Sequence, residues 1–385
     1  MVSDTNDAAV SSKAPIETIW DCLKPAVSPL SCGKVFYFDP RGDMTLHVDQ
    51  LETGGICQFV VCSRTLDRSS PVFRVMLFNG FAESKPEGES AWTVKLPEDG
   101  IYPVYLFLNI IHGHTMAVPD TLKPEELYQL LVLTEKYNMT HVLRPLASMW
   151  FQPYREAANV AGNGIFLCIA WALGHEETFR YLSLDLVLKS KIDDDGQLLD
   201  SNGIPLSAHK HLEPPDILES IGQAREGVIQ KIGSLFYNAI QERLEGRGCS
   251  TRYRPTCSIG NKSLQWGRSE CKSMALGSLL RYAKKLGFGR FDAAQTTTPQ
   301  YLGSVHDLAS SIQQADSQFL ALNVTCDPIH YIKTKTRELV QTVPTPVSDA
   351  HLKYLRKQAK KTGADRKRPV KVEESKSSCK KCRLG

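Results

Sequence analysis

The side chains best suited to chemistry in this sequence are thiols and imidazoles. Cys249, Cys257 and Cys271 lie around a loop that precedes a helix, and Cys326 with His330 sets a thiolate and an imidazole four residues apart, on one face if the stretch is helical. Cys257, Cys271, Cys326 and His330 together are a sulfur-and-nitrogen set of the kind that holds a tetrahedral structural zinc ion and would clamp the second half of the chain. Their spacing is irregular and includes no Cys-x-x-Cys knuckle, and a buried cysteine ordinarily acts as a small apolar residue. Cys379 and Cys382 do form a Cys-x-x-Cys, but in a polar basic tail without a second pair, which reads as a redox-sensitive pair or simply a disordered end. Arg383 and Gly385 fit a prenylation box badly. No other cofactor is expected.

The remaining motifs speak against catalysis. His112 with His114, and His209 with His211, are alternately spaced pairs without a nearby third ligand, and so read as loop or helix-end histidines. Asp193-Asp194-Asp195-Gly196 resembles a calcium loop only superficially: with Gly196 at the sixth position, Lys191 takes the first and Asn202 the twelfth. Gly287-Phe288-Gly289 follows a helix and lacks the third glycine of a dinucleotide loop. There is no Gly-x-Ser-x-Gly elbow, no His-Glu-x-x-His helix and no phosphate-cradling loop. The chain reads as a non-enzyme.

The elements that must carry these residues follow from periodicity and punctuation. Val35–Asp39, Met44–Val48, Ile56–Cys62 and Ala91–Leu96 read as strands, with a turn at Gly54-Gly55 between the second and third. Leu66, Val72, Phe73, Met76 and Leu77 fall on helical faces, Pro71 starts a fresh helix and Gly80 ends it. Helices are expected over Tyr102–Ile111, closed by Gly113, over Lys123–Tyr137, and over Met139–Phe151, restarted at Pro145. Phe166–Leu188 reads as a buried helical pair around Gly174, followed by an exposed hairpin near Asp193–Asn202. Asp216 with Glu219 resembles a capping box, opening a long amphipathic helix that carries Ile217, Ile221, Val228, Ile232, Leu235 and Ile240. Cys271–Leu286, a helix opened by Ser304 and Asp307 and running to about Leu322, and Asp349–Lys361 complete the series.

Composition sets the outer bounds. A hydrophobic fraction of 42% with 23% charged residues is that of a folding chain, and the longest apolar run, Ile165–Leu173, is too short for a membrane helix. Eleven cysteines, an odd number, argue for free or metal-bound thiols, and the polar, acidic start does not read as a secretory leader, so an intracellular setting is expected. The net charge of +4 conceals a split: residues 351–385 hold 13 Lys and Arg against 3 acids, leaving −6 for residues 1–350. Lys360, Lys361, Arg366, Lys367 and Arg368 resemble a bipartite nuclear import signal, which favours the nucleus over the cytoplasm. A basic tail on an acidic body is expected to hold nucleic acid at most weakly.

The first 151 residues resemble the BTB/POZ family, on an ordered series of short motifs. Gly42-Asp43-Met44-Thr45-Leu46 is similar to its opening strand, and Phe59-Val60-Val61-Cys62 stands at its Phe-x-Val-His. Ser69-Ser70-Pro71-Val72-Phe73 is similar to its Ser-Pro-Val-Phe helix, and Phe81-Ala82-Glu83-Ser84 to its Phe-x-Glu-Ser. Val94–Asp99 is similar to the following strand and turn, and Leu131–Tyr137 to its Leu-Ala-Asp-Lys-Tyr helix. The texture resembles large BTB proteins of filamentous fungi. Cys62 replaces the usual His, His112 a frequent Tyr, and Val60 stands where transcription repressors of the family carry a basic groove residue.

The resemblance implies an α+β BTB/POZ domain, a short mixed sheet flanked by helices, over 35–151. A flexible arm (1–34) would precede it. A mostly helical region (152–340) and a linker with a basic disordered tail (341–385) would follow. It also implies a protein-binding role: self-association as a homodimer, with Ile16, Ile19, Trp20 and Leu23 as the apolar face of a dimer arm, or binding of other partners. Adaptors of cullin ubiquitin ligases in the family use a hydrophobic-x-Glu turn, a pattern that Phe81-Ala82-Glu83 fits, with Tyr137 lining the same surface and residues 152–340 recruiting substrate. A chromatin-associated regulator using the basic tail is the third expectation.

Overall fold

The structure is a computed structural model that describes residues 34–49, 56–88, 91–157, 164–245, 258–259, 262–263, 268–288, 301–315 and 328–364. It is a mixed α+β fold, mostly helical, and the described residues form one four-stranded sheet and two two-stranded hairpins. Strands β1 (Val35–Tyr37), β2 (Met44–Asp49), β3 (Ile56–Val61) and β4 (Thr93–Leu96) lie in the order β1-β3-β2-β4. The β2–β3 pairing is antiparallel, while β1 runs parallel to β3 and β4 parallel to β2. The register sets Met44 opposite Val61, Leu46 opposite both Phe59 and Val94, and Val48 opposite Cys57, so strict alternation sends one row of side chains inward.

Helices α1 (Ser63–Ser69), α2 (Pro71–Phe78), α3 (Ile101–His112) and α4 (Pro124–Lys136) close over that row with Leu66, Phe73, Leu77, Phe107, Leu127 and Leu130. Their starts are chemically fixed. The Asp43 carboxylate accepts the Ser63 N–H at 2.8 Å and its hydroxyl at 2.7 Å, holding the first turn of α1, and these bonds hold the Asp43 carboxyl below its usual pKa against the opposing effect of burial. Ser70 accepts the Phe73 N–H at 3.0 Å as the cap of α2 and donates to the Tyr137 carbonyl at 2.6 Å, while Pro71 takes the first helical position, where a missing N–H costs nothing. Gly113 ends α3 with φ of 80°.

A 3-10 turn, Thr140–Leu143, leads into α5 (Ala147–Ala157). Every residue of α6 (Gly164–Leu173) is buried, and Gly174 turns the chain into α7 (Glu176–Lys189). A short hairpin, β5 (Lys191–Ile192) with β6 (Leu198–Leu199), follows where one was expected. Beyond it come α8 (Ile217–Leu244), α9 (Arg268–Lys285), α10 (Val305–Gln313), α11 (Pro328–Gln341) and α12 (Asp349–Thr362). Among the described residues no helix is long and apolar enough to cross a membrane.

Three expectations are revised. Asp216 does not cap α8: its φ is 57°, a left-handed backbone that aspartate tolerates after Pro214-Pro215, and its side chain makes no capping hydrogen bond. Ser304 does cap α10 through the Asp307 N–H at 3.0 Å, but the helix stops at Gln313 rather than near Leu322. The third revision concerns the division at residue 152. One core runs through it, from Phe38 to Ile221 with Val347 and Leu355 joining from the end of the described chain, and the second core begins within α8, at Val228, and extends to Ile332. Arg225 sits between the two, 2% exposed, and its guanidinium donates to the Ser190, Tyr301 and Gly303 carbonyls. It ties the end of α7 and the lead-in to α10 onto α8.

The helix expected over Asp349–Lys361, inside the segment read as linker and tail, is α12, and it docks on the first core. Tyr354 stacks on Trp171 at 4.0 Å, Leu355 is buried, and the Thr362 hydroxyl donates to the Leu173 carbonyl at 2.6 Å. Ser348 and His351 cap each other reciprocally; because His351 Nδ1 accepts the Ser348 N–H, its Nε2–H is the donor to the Pro215 carbonyl at 2.6 Å. Glu135 on α4 accepts from Tyr354, Gln358 and Thr140. Gly174, at φ of 78°, is what admits the helix: a Cβ there would lie 2.2 Å from the Ala359 nitrogen and 2.6 Å from the Leu355 carbonyl oxygen.

Candidate partner-binding site

The turn after α2 presents the expected Phe81-Ala82-Glu83. Phe81 is 56% exposed, while the backbone beneath it is pinned on both sides. The Ser84 N–H donates to the Phe81 carbonyl at 3.0 Å, the Ser84 hydroxyl to the Met76 carbonyl at 3.2 Å, and the Lys85 N–H to the Leu77 carbonyl at 3.3 Å. From the strand side, the Trp92 indole N–H donates to the Glu83 carbonyl at 2.9 Å. Trp92 in turn meets the Phe78 ring edge-on at 5.8 Å, and the Arg64 guanidinium lies 4.5 Å over the other partner, Phe78. A large aromatic held outward on an anchored turn can enter a partner's pocket with little loss of its own freedom. The outer face of α2 adds Val72 and Val75, both exposed.

Tyr137 does not line this surface, contrary to expectation. It is 4% exposed, stacks on Phe73 at 4.2 Å with the rings 7° apart, and donates its hydroxyl to Asp99 Oδ2 at 2.5 Å. Asp99 is buried as well and accepts Lys136 Nζ at 2.8 Å. Burial, then the neighbouring Asp99 carboxylate, push the phenol far above its usual pKa, so it is a permanent donor. The cluster fastens the end of α4 to the turn before α3, which is structural work. Trp92 was not singled out from the sequence, although an indole between a turn and a strand is a residue whose N–H must find an acceptor.

Cys62 and His112 meet each other: the Cys62 backbone N–H donates to His112 Nε2 at 3.3 Å, and His112 Nδ1–H to the Leu108 carbonyl at 3.0 Å. With both ring nitrogens engaged and burial lowering its pKa, His112 stays neutral and has no lone pair for a metal. His114 stacks on Phe38, and His209 meets Tyr128 edge-on. Asp193 accepts the Asp195 and Gln197 N–H groups, which makes its acidic run a turn. Burial pushes the Cys168 thiol up to about 12, so it is inert.

Of the expected zinc set, His330 is exposed in the first turn of α11, Cys271 falls in α9 with its side chain outside the description, and Cys257 and Cys326 lie outside the described residues. Among the described residues no three His, Cys, Asp or Glu side chains cluster to hold a metal. Among the described residues, Cys62 and Cys168 are not joined in a disulfide. The arm residues Ile16, Ile19, Trp20 and Leu23, and Arg366, Lys367 and Arg368, are also outside the described residues, whereas Lys360 and Lys361 form the last turn of α12. No family model matches the chain, and no curated protein or solved structure matches it.

Proposed function

We propose that the chain is a non-enzymatic protein-interaction scaffold, with a BTB/POZ-like first half that self-associates or binds partners and a helical second half carried rigidly on it. The observation that carries this reading is Phe81, 56% exposed on a turn pinned by Ser84 and Trp92. The ordered motifs of the first 151 residues and the mixed sheet they build support the family part of it.

The second reading, favoured by the same Phe81-Ala82-Glu83 turn, is a substrate adaptor for a cullin ubiquitin ligase. Its test is direct binding of the full chain to the N-terminal domain of the BTB-specific cullin, beside a Phe81→Ala, Glu83→Ala double variant. An adaptor binds in the micromolar range or tighter, and truncating a central aromatic anchor costs about 2 kcal/mol, roughly thirtyfold in affinity. Absence of binding removes the adaptor reading. Light scattering then reports on the scaffold: a dimer supports self-association, and a concentration-independent monomer removes it.

A further inference from the structure

We propose that the outward face of α12 binds the phosphate backbone of duplex nucleic acid, without regard to base sequence. One side of this helix is committed to the core, through His351, Leu355, Gln358, Ala359 and Thr362. The opposite side carries Lys353, Arg356, Lys357 and Lys360, all exposed, which at about 100° per residue fall within an arc of roughly 100°. Together with Asp349 and Leu352 they border a shallow open depression. Arg356 is 3.2 Å from Glu176, whose other oxygen holds Arg180 at 3.1 Å, so a further guanidinium from α7 is drawn beside the stripe. Lys353, Lys357 and Lys360 form no ion pair among the described residues.

The sequence alone places this charge on a tail; the fold places its first part on a rigid surface. That changes its chemistry, because a helix already fixed by its buried face loses little conformational freedom when its cations are engaged. Lys353 and Lys360 are seven residues apart, a rise of about 10 Å, along which a duplex with one charge per about 1.7 Å of axis offers roughly six. The face is poor in what a protein partner needs, since Leu352 is its one apolar lining residue and no aromatic anchor stands on it. It is also the wrong place for the remainder of the chain to interfere: residues 1–350 carry a net −6 and repel a polyanion, which orients the approach toward α12, and residues 365–385 add 8 Lys and Arg against 3 acids beyond its end. No base-reading contact is implied, only positioning on phosphates.

The experiment is fluorescence anisotropy of a short labelled duplex with the full chain, titrated over a series of salt concentrations. It is repeated with a Lys353→Gln, Lys357→Gln, Lys360→Gln variant, which leaves the Arg356–Glu176 pair and the docked face intact, and with a chain ending at Ala364. The triple variant keeps the wild-type thermal midpoint, loses about tenfold or more in affinity at low salt, and loses between two and three from the slope of log K against log salt, about 0.9 per phosphate contact. The chain ending at Ala364 retains binding. The proposal is overturned if the duplex does not bind, if the triple variant binds like the wild type, or if ending the chain at Ala364 abolishes binding, which would put all contact in the tail. It is equally overturned if polyglutamate, or anionic lipid vesicles, displace the duplex at equal charge concentration, since the face would then be a general acid-binding surface.

Discussion

Replacing Gly174 by Ala tests whether α12 is an integral part of the first core. The new Cβ would fall 2.2 Å from the Ala359 nitrogen and 2.6 Å from the Leu355 carbonyl oxygen. Both are backbone atoms of a packed helix, so no side-chain rotation relieves the overlap and α12 must move away. Three costs follow. A left-handed backbone with a Cβ costs about 1–2 kcal/mol; loss of the Thr362–Leu173 hydrogen bond costs about 1 kcal/mol; opening the Trp171–Tyr354 stack costs about 1 kcal/mol more. The sum, about 3–4 kcal/mol, corresponds to a drop of about 10 °C in thermal midpoint for a unit of this size. Gly196→Ala is the control, since its φ of 83° carries the same backbone penalty while nothing lies within 4 Å of the added methyl. Thermal denaturation of the two variants, with limited proteolysis across residues 343–364, reads the difference. Equal midpoints, or a Gly174→Ala chain whose α12 stays as protected as in the wild type, would refute the close packing.

Arg225→Met leaves the Ser190, Tyr301 and Gly303 carbonyls without their donor, and should cost about 3 kcal/mol in urea unfolding and separate the transitions of the two cores; a loss under about 1 kcal/mol contradicts its role as the joint. Tyr137→Phe removes one of the two donors to buried Asp99, with an expected loss of about 1–2 kcal/mol and no change in partner affinity; a weakened partner complex at unchanged stability would return Tyr137 to the surface. His175, packed on Phe151 at 4.8 Å with Arg155 as the nearby cation, has its pKa lowered to about 4, mainly by burial. Because the unfolded chain takes up this proton near pH 6.5, the contribution is whole above pH 6.5 and fades as pH falls toward 4, by about 2–3 kcal/mol. The midpoint of the wild type should therefore fall more steeply over that interval than that of His175→Phe, and parallel curves would dismiss the effect.

Local signals in the sequence translated directly into structure. Pro71 opening a helix, Gly113 after an apolar run and Ser304 three residues before Asp307 each act within their own turn as expected. Phe81 belongs with them, since exposure of an aromatic in a turn follows from the turn itself. What stayed hidden depends on distant partners. Tyr137 looks like a surface residue until Asp99 and Phe73, both remote in sequence, are placed beside it. Arg225 interrupts the stripe Ile217-Ile221-Val228-Ile232, and that interruption was the legible clue; its three carbonyl acceptors were not. In α12, cations so dominate the composition that the narrow stripe His351-Leu355-Ala359-Thr362 reads as part of a polar end, although its spacing of three and four is that of a docked helix.

The lateness of α12 in the chain also bears on synthesis. Its bonds to the first core join residues as far apart as Glu135 and Gln358, 223 positions, and Leu173 and Thr362, 189 positions. At about 5–20 residues per second, the face around Trp171 therefore waits on the order of 10–40 s before the helix that covers it has been made. During that interval a nascent chain exposes a stacked aromatic surface to solvent and chaperones, and pairing of such high sequence separation is slow to form afterwards. A premature stop or a cut in residues 343–348 would leave the exposure permanent, so that loss of the covering helix would mark the rest of the chain for aggregation or degradation.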